Sequence, residues 1–138
     1  MYLKDESLYV SGLVNMASFN TGPSYVDAIC MTKDNYKDAF SKFYKIKKET
    51  ILLEKSFQSL ESLLKVLFNL EKKPIDTLMH WLTRECGECI NIYTSENEEL
   101  LLSLSGESKG LGPFFFLEEI YFIEFEKMIV CFMIGNDE

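Results

Sequence analysis

The sequence predicts an α+β fold, with three helices in the N-terminal half packed on a mainly antiparallel sheet formed largely by the C-terminal half. Three observations carry this. Apolar residues recur at helical spacing between residues 33 and 86, and the period drops to two after Gly87. Helical segments come first and strands afterwards, the order expected when helices cover a sheet instead of alternating with its strands. At 138 residues, with 47% hydrophobic and 26% charged side chains, the chain has the size of one domain spanning 1–138 and no compositional sign of disorder.

The elements follow in order. In residues 1–24, "SLYVSGLV" contains strand formers, whereas "NMASFNTGPS" reads as a loop because Asn, Gly, Pro and Ser cluster there. "YVDAICM" (25–31) predicts a strand. Thr32 is placed to cap a helix and Asp34 to favour its first turn; Tyr36, Phe40 and Phe43 then recur at helical spacing over 33–45. "KKETILLEK" fits a short strand or a lead-in to the next helix. From Ser56 onward Phe57, Leu60, Leu64 and Leu67 share one face, with Leu63 and Phe68 beside them, until "EKK" and Pro74 end the run. Pro74 suits the first turn of a third helix, whose stripe is Ile75, Leu78, Met79 and Leu82 and whose C-terminal cap is Gly87.

Beyond Gly87, "CINIYT" places Ile90 and Ile92 on one strand face. "ELLLSLS" places Leu100, Leu102 and Leu104 together, with "SENE" as the intervening hairpin turn. "SGESKGLGP" (105–113) is a loop. "EIYFIEF" and "MIVCFMI" form the last strands, separated by Glu126 and Lys127. "MIVCFMI" is apolar on both faces, as an inner strand covered on both sides should be. The acids ending "EIYFIEF" place that strand nearer an edge, and the helices are expected to cover one face of the sheet. Phe114 to Ile134 has membrane-spanning length, but Glu118, Glu119, Glu124, Glu126 and Lys127 interrupt it. Each carboxylate would cost on the order of 2.5 kcal/mol or more in hydrocarbon, so the sequence predicts no transmembrane helix.

Charge is the clearest signal bearing on function. The formal net charge is −8, but residues 1–84 carry +2 and residues 85–138 carry −10. A nucleic-acid partner is disfavoured, because phosphates need a basic face. A cationic partner is favoured, and its encounter would be steered. Four cysteines, with Asp5 and Glu6 where a secretory leader would carry positive charge, predict a cytosolic protein.

The candidate chemical groups give little. "CGEC" (Cys86 to Cys89) follows a helix and leads into a strand, the reverse of the thioredoxin arrangement, and Glu85 and Glu88 would raise thiol pKa. As a zinc half-site it lacks two further ligands, with only His80 upstream. His80, the single histidine, has no nucleophile at a recognisable spacing. "GESKGLG" lacks the ending and context of a phosphate-binding loop. Glu118, Glu119, Glu124 and Glu126 could pair around a hard cation, but glutamates at a sheet margin also guard against aggregation. The expectation is therefore no enzyme, no metal and no cofactor.

The size, the acidic balance and the ending "GLGPFFFLEEIYFIEFEKMIVCFMIGNDE" resemble small bacterial immunity proteins of the polymorphic-toxin or contact-dependent growth-inhibition kind. The resemblance implies a cytosolic protector that binds one cognate toxin domain and blocks its active site or an essential surface. The acidic half makes a basic, nuclease-type toxin the expected partner, with no nucleic acid or membrane bound. The expected contact residues are Glu96, Glu98 and Glu99 in the first hairpin turn, the 105–113 loop, and Glu118, Glu119, Asp137 and Glu138. The alternatives are a small regulatory or adaptor module without a toxin partner, and a thiol redox or zinc protein using Cys86 and Cys89.

Overall fold

The computed structural model describes residues 1–18, 24–67, 72–105 and 116–136. Its elements run α1 (Lys4–Ser18), β1 (Ser24–Met31), α2 (Tyr36–Tyr44), a 3₁₀ turn (Lys48–Thr50), β2 (Glu54–Ser56), α3 (Leu60–Leu67), α4 (Lys72–Cys86), β3 (Cys89–Thr94), α5 (Glu98–Ser103), β4 (Phe116–Phe125) and β5 (Ile129–Asn136). The five strands form one sheet in the order β1-β5-β4-β3-β2, every neighbour antiparallel. The fold is α+β, with three of the five strands drawn from the C-terminal half.

Helices cover both faces of this sheet, not one. Alternation along β5 shows why: Val130, Phe132 and Ile134 pack with α1, α3 and α4, while Ile129, Cys131 and Met133 pack with α2 and α5. β5 lies between β1 and β4 and is buried on both sides, as its doubly apolar sequence predicts. β4 is also an inner strand, not a near-edge one. Its acids lie towards its two ends, exposed at Glu118 and Glu119 and paired at Glu124. Glu124 near its far end is held by Lys33 Nζ at 3.1 Å and Asn91 Nδ2 at 3.0 Å.

Two segments read otherwise in the sequence are helices. The N-terminal one, open to a strand over "SLYVSGLV" and expected as a loop from Asn15, is helical to Ser18. The expected strand "ELLLSLS" is helical over Glu98–Ser103. α1 opens with Asp5 and Glu6, which favour a helix N-terminus, and buries Ser7, Val10 and Val14 at helical spacing. Its stripe is hard to recognise because it contains a serine. The Ser7 hydroxyl accepts from the Cys30 N–H at 2.7 Å and donates to the Cys30 carbonyl at 3.3 Å, so a polar residue is buried at no cost in lost bonds. α5 replaces the expected hairpin strand. Leu100 and Leu104 are fully buried at i, i+4, and Leu102, expected beside them, is 73% exposed. The next strand after β3, which pairs with it antiparallel, is consequently β4.

Smaller departures have local causes. Phe57 precedes α3, which starts at Leu60, and is 89% exposed instead of lining the core. Ile90 is the extra residue of a bulge, where Cys89 pairs with Phe125 and Asn91 with Glu124. That bulge turns Ile90 to solvent (51% exposed) while Ile92 stays buried. The α2 N-cap is Asn35, in the left-handed region with φ 55°, and Thr32 Oγ1 instead accepts from the terminal amine of Met1 at 2.6 Å.

Candidate functional site

The antiparallel register sets which acids share an end of the sheet. β3 finishes at Thr94, level with Tyr121 of β4, and β4 starts at Phe116, level with Asn136. Glu96, Glu98 and Glu99 follow the end of β3, and Glu118 and Glu119 lie at the start of β4, so all five sit at this one end. All five are exposed. Asp137, Glu138 and residues 106–113 of the expected loop lie outside the described residues.

The five acids do not form one flat patch. Glu98 and Glu99 occupy the first turn of α5, not a hairpin turn, and α5 packs on the same sheet face as α2. Their place is chemically apt, because carboxylates near a helix N-terminus complement its dipole. Glu118 is the extra residue in a bulge of β4, between Leu117 opposite Gly135 and Glu119 opposite Ile134. Glu119 therefore falls on the opposite face, the one covered by α1, α3 and α4. There the Tyr121 hydroxyl donates to Glu119 Oε1 at 2.7 Å. Burial first, and then this bond to a carboxylate, push the Tyr121 phenol up to about 12.

Two apolar residues at the same end escaped the sequence reading. Leu102 is exposed on α5, three and four residues after Glu99 and Glu98 and so beside them on the helix surface. Phe116, the first residue of β4, is 52% exposed. Exposed apolar anchors surrounded by charges have the make-up of a protein-binding surface. For Leu102 the usable signal was the 100/104 helical pair, which places 102 on the opposite side. For Phe116 no signal distinguishes it from its neighbours in "FFFL".

The cysteine region has a structural role. Gly87 takes φ 83°, ending α4, and the turn it makes docks on the β4–β5 hairpin. Glu88 N–H donates to Glu126 Oε1 at 2.8 Å, Glu126 N–H to the Glu88 carbonyl at 3.1 Å, and Lys127 N–H to the Cys86 carbonyl at 3.0 Å. Cys86 is fully buried, and burial together with Glu85 pushes its thiol up to about 12. Cys89 is also raised by burial. A thiol so raised by burial is a poor nucleophile at neutral pH. Glu124 and Glu126, expected as a possible cation pair, serve separate partners. Among the described residues no group of three or more His, Cys, Asp or Glu is arranged to hold a metal, and no helix is long and apolar enough to cross a membrane. His80 is exposed on α4.

No family model, curated protein or solved structure matches the chain.

Proposed function

We propose that the chain acts by binding and not by catalysis, as a cytosolic immunity protein that neutralises a cognate basic toxin domain of the nuclease type. One observation carries the reading. Five exposed glutamates from two separate chain segments converge at one end of the sheet, together with exposed Leu102 and Phe116. A phosphate-directed enzyme must keep a basic active site. An acidic surface with apolar anchors is suited to occlude such a site and to speed the encounter with it.

The test begins with capture of the product of the neighbouring gene, identified by mass spectrometry. Titration calorimetry then compares the natural chain with a variant carrying Glu98→Lys, Glu99→Lys, Glu118→Lys and Glu119→Lys. The expected loss is on the order of 2–5 kcal/mol of binding free energy if even one of these acids is desolvated against a cation. Unchanged affinity would remove this surface from the interface.

A further inference from the structure

Residues 33–50 carry six lysines against two aspartates and Glu49, whereas residues 96–99 carry three glutamates and no cation. In the fold these oppositely charged segments are neighbours in one helical layer. The Asn97 side-chain amide donates to the Thr50 carbonyl at 2.8 Å, joining the start of α5 to the 3₁₀ turn that follows α2. On the basic side Lys42, Lys47 and Lys48 are exposed beside one exposed acid, Glu49, and Lys48 is paired with Asp38 at 2.9 Å; on the acidic side Glu96, Glu98 and Glu99 are exposed. Near the junction stand two large apolar side chains. Leu52, two residues past the 3₁₀ turn, is 61% exposed, and Leu102 on α5 is 73% exposed.

A face that is basic on one side, acidic on the other and apolar between is complementary to itself under a two-fold rotation. A two-fold axis through the junction lays the acidic side of one copy on the basic side of the other, twice over. It also gathers Leu52 and Leu102 of both copies at the centre, the apolar middle and polar rim of an ordinary interface. The acidic side of this face is also part of the surface proposed to meet a toxin, so self-pairing and a toxin would compete for it. We propose that this face pairs two copies of the chain as a two-fold homodimer, α5 of each seated against α2 and the 3₁₀ turn of the other. The net charge of −8 on each copy opposes association at long range, so pairing depends on the segregation of charge within the face.

The inference is independent of any toxin, because it is measured on the chain alone. Sedimentation equilibrium of the full chain is expected to show a reversible dimer. Glu98→Lys with Glu99→Lys makes both sides basic; Lys42→Glu with Lys47→Glu makes both sides acidic. Each variant alone should dimerise about tenfold or more weakly, and mixing the two should restore a dimer, since the reversed sides then match. The reversed residues are exposed, and circular dichroism checks that the fold survives. Leu102→Asp, which leaves buried Leu100 and Leu104 in place, should weaken the dimer by a similar factor. A natural chain that is monomeric at every concentration overturns the proposal. So does a dimer indifferent to the charge reversals or to Leu102→Asp, and so does a mixture that stays monomeric.

Discussion

The two helical layers cover opposite faces of one sheet but arrange their surfaces differently. On the α1/α3/α4 side, charges of both signs are interspersed. Lys65 meets Glu61 one turn away at 3.3 Å, and Arg84 meets Glu85 at 3.2 Å. Such exposed pairs are worth about 0–1 kcal/mol each and mainly keep the surface soluble. On the α2/α5 side, lysines outnumber acids on α2 and its following turn, where Lys48 meets Asp38 at 2.9 Å, and glutamates gather on α5. The buried rows beneath do not differ in kind: Phe132, Leu82 and Cys30 on one face, Phe122, Phe40 and Cys131 on the other, all fully buried. Packing and surface chemistry are thus separable in this chain. Segregated charge is not a by-product of core formation, which is why the α2/α5 layer and the adjoining sheet end hold the binding proposals.

The largest expected effect tests whether the two cores are equivalent. Phe122 of β4 packs edge-on against Phe40 at 5.0 Å between ring centroids, on the α2/α5 face. Phe132 of β5 is its counterpart on the other face, also fully buried. Phe122→Ala and Phe132→Ala should each cost about 3–5 kcal/mol, measured by denaturant unfolding, through lost burial and the cavity left behind. That is a large share of a total of roughly 5–15 kcal/mol. Because the rows share strands, both variants should unfold in one transition. A cost under about 1 kcal/mol on one face only would break the comparison.

Next in size is Gly87→Ala, at the corner where the α1/α3/α4 layer meets the β4–β5 hairpin. The residue sits at φ 83°, and an added Cβ would lie 2.9 Å from the Cβ of Glu126. Strain and crowding together should cost roughly 1–3 kcal/mol, read as a lowered denaturation midpoint with unchanged slope. A neutral result would mean that the α4–β3 corner moves freely on the hairpin, against the hydrogen bonds between them.

How much of this was legible in the sequence depended on whether neighbours were needed to complete a pattern. β5 and α4 were readable because each carries its own full signal: a doubly apolar run in one, a stripe with Pro74 and Gly87 as boundaries in the other. α1 was not, since Ser7 belongs to the core only because Cys30 of β1 satisfies its hydroxyl. α5 was misread because Leu100, Leu102 and Leu104 fit a period of two as well as Leu100 and Leu104 fit a helix. Only the sheet face beneath it, occupied by Leu117 and Ile120, decides between them. The acids of the candidate site were visible as a charge imbalance. Their division between two faces was not, because it follows from a bulge at Glu118 that leaves no mark in composition.

A smaller effect comes from Glu124, whose carboxylate ties β4 to β3 and to the lead-in of α2. The Asn91 amide and then the Lys33 ammonium hold its pKa below the ordinary 4.5. A depressed carboxylate pKa adds stability above the ordinary value, and that stability is lost as pH falls through the folded pKa. Glu124→Gln should therefore cost about 0.5–1.5 kcal/mol at neutral pH. The difference from the natural chain should shrink as pH drops below 4.5. A cost that stays constant into strong acid would assign the loss to packing instead of charge.

The smallest effect on stability is expected where the effect on association is largest. Leu102→Ser removes a side chain that is 73% exposed, so the unfolding free energy of the monomer should change by no more than about 0.5 kcal/mol. Leu100→Ala, two residues away and fully buried, should instead cost about 2–5 kcal/mol. If Leu102 lies at the centre of a self-paired face, the midpoint of thermal unfolding of the natural chain rises with protein concentration, because dimerisation draws on the folded state alone. Leu102→Ser should flatten that rise without lowering the midpoint extrapolated to dilute protein. A variant that lowers the dilute midpoint would make Leu102 part of the core, and the two layers would then differ in packing after all.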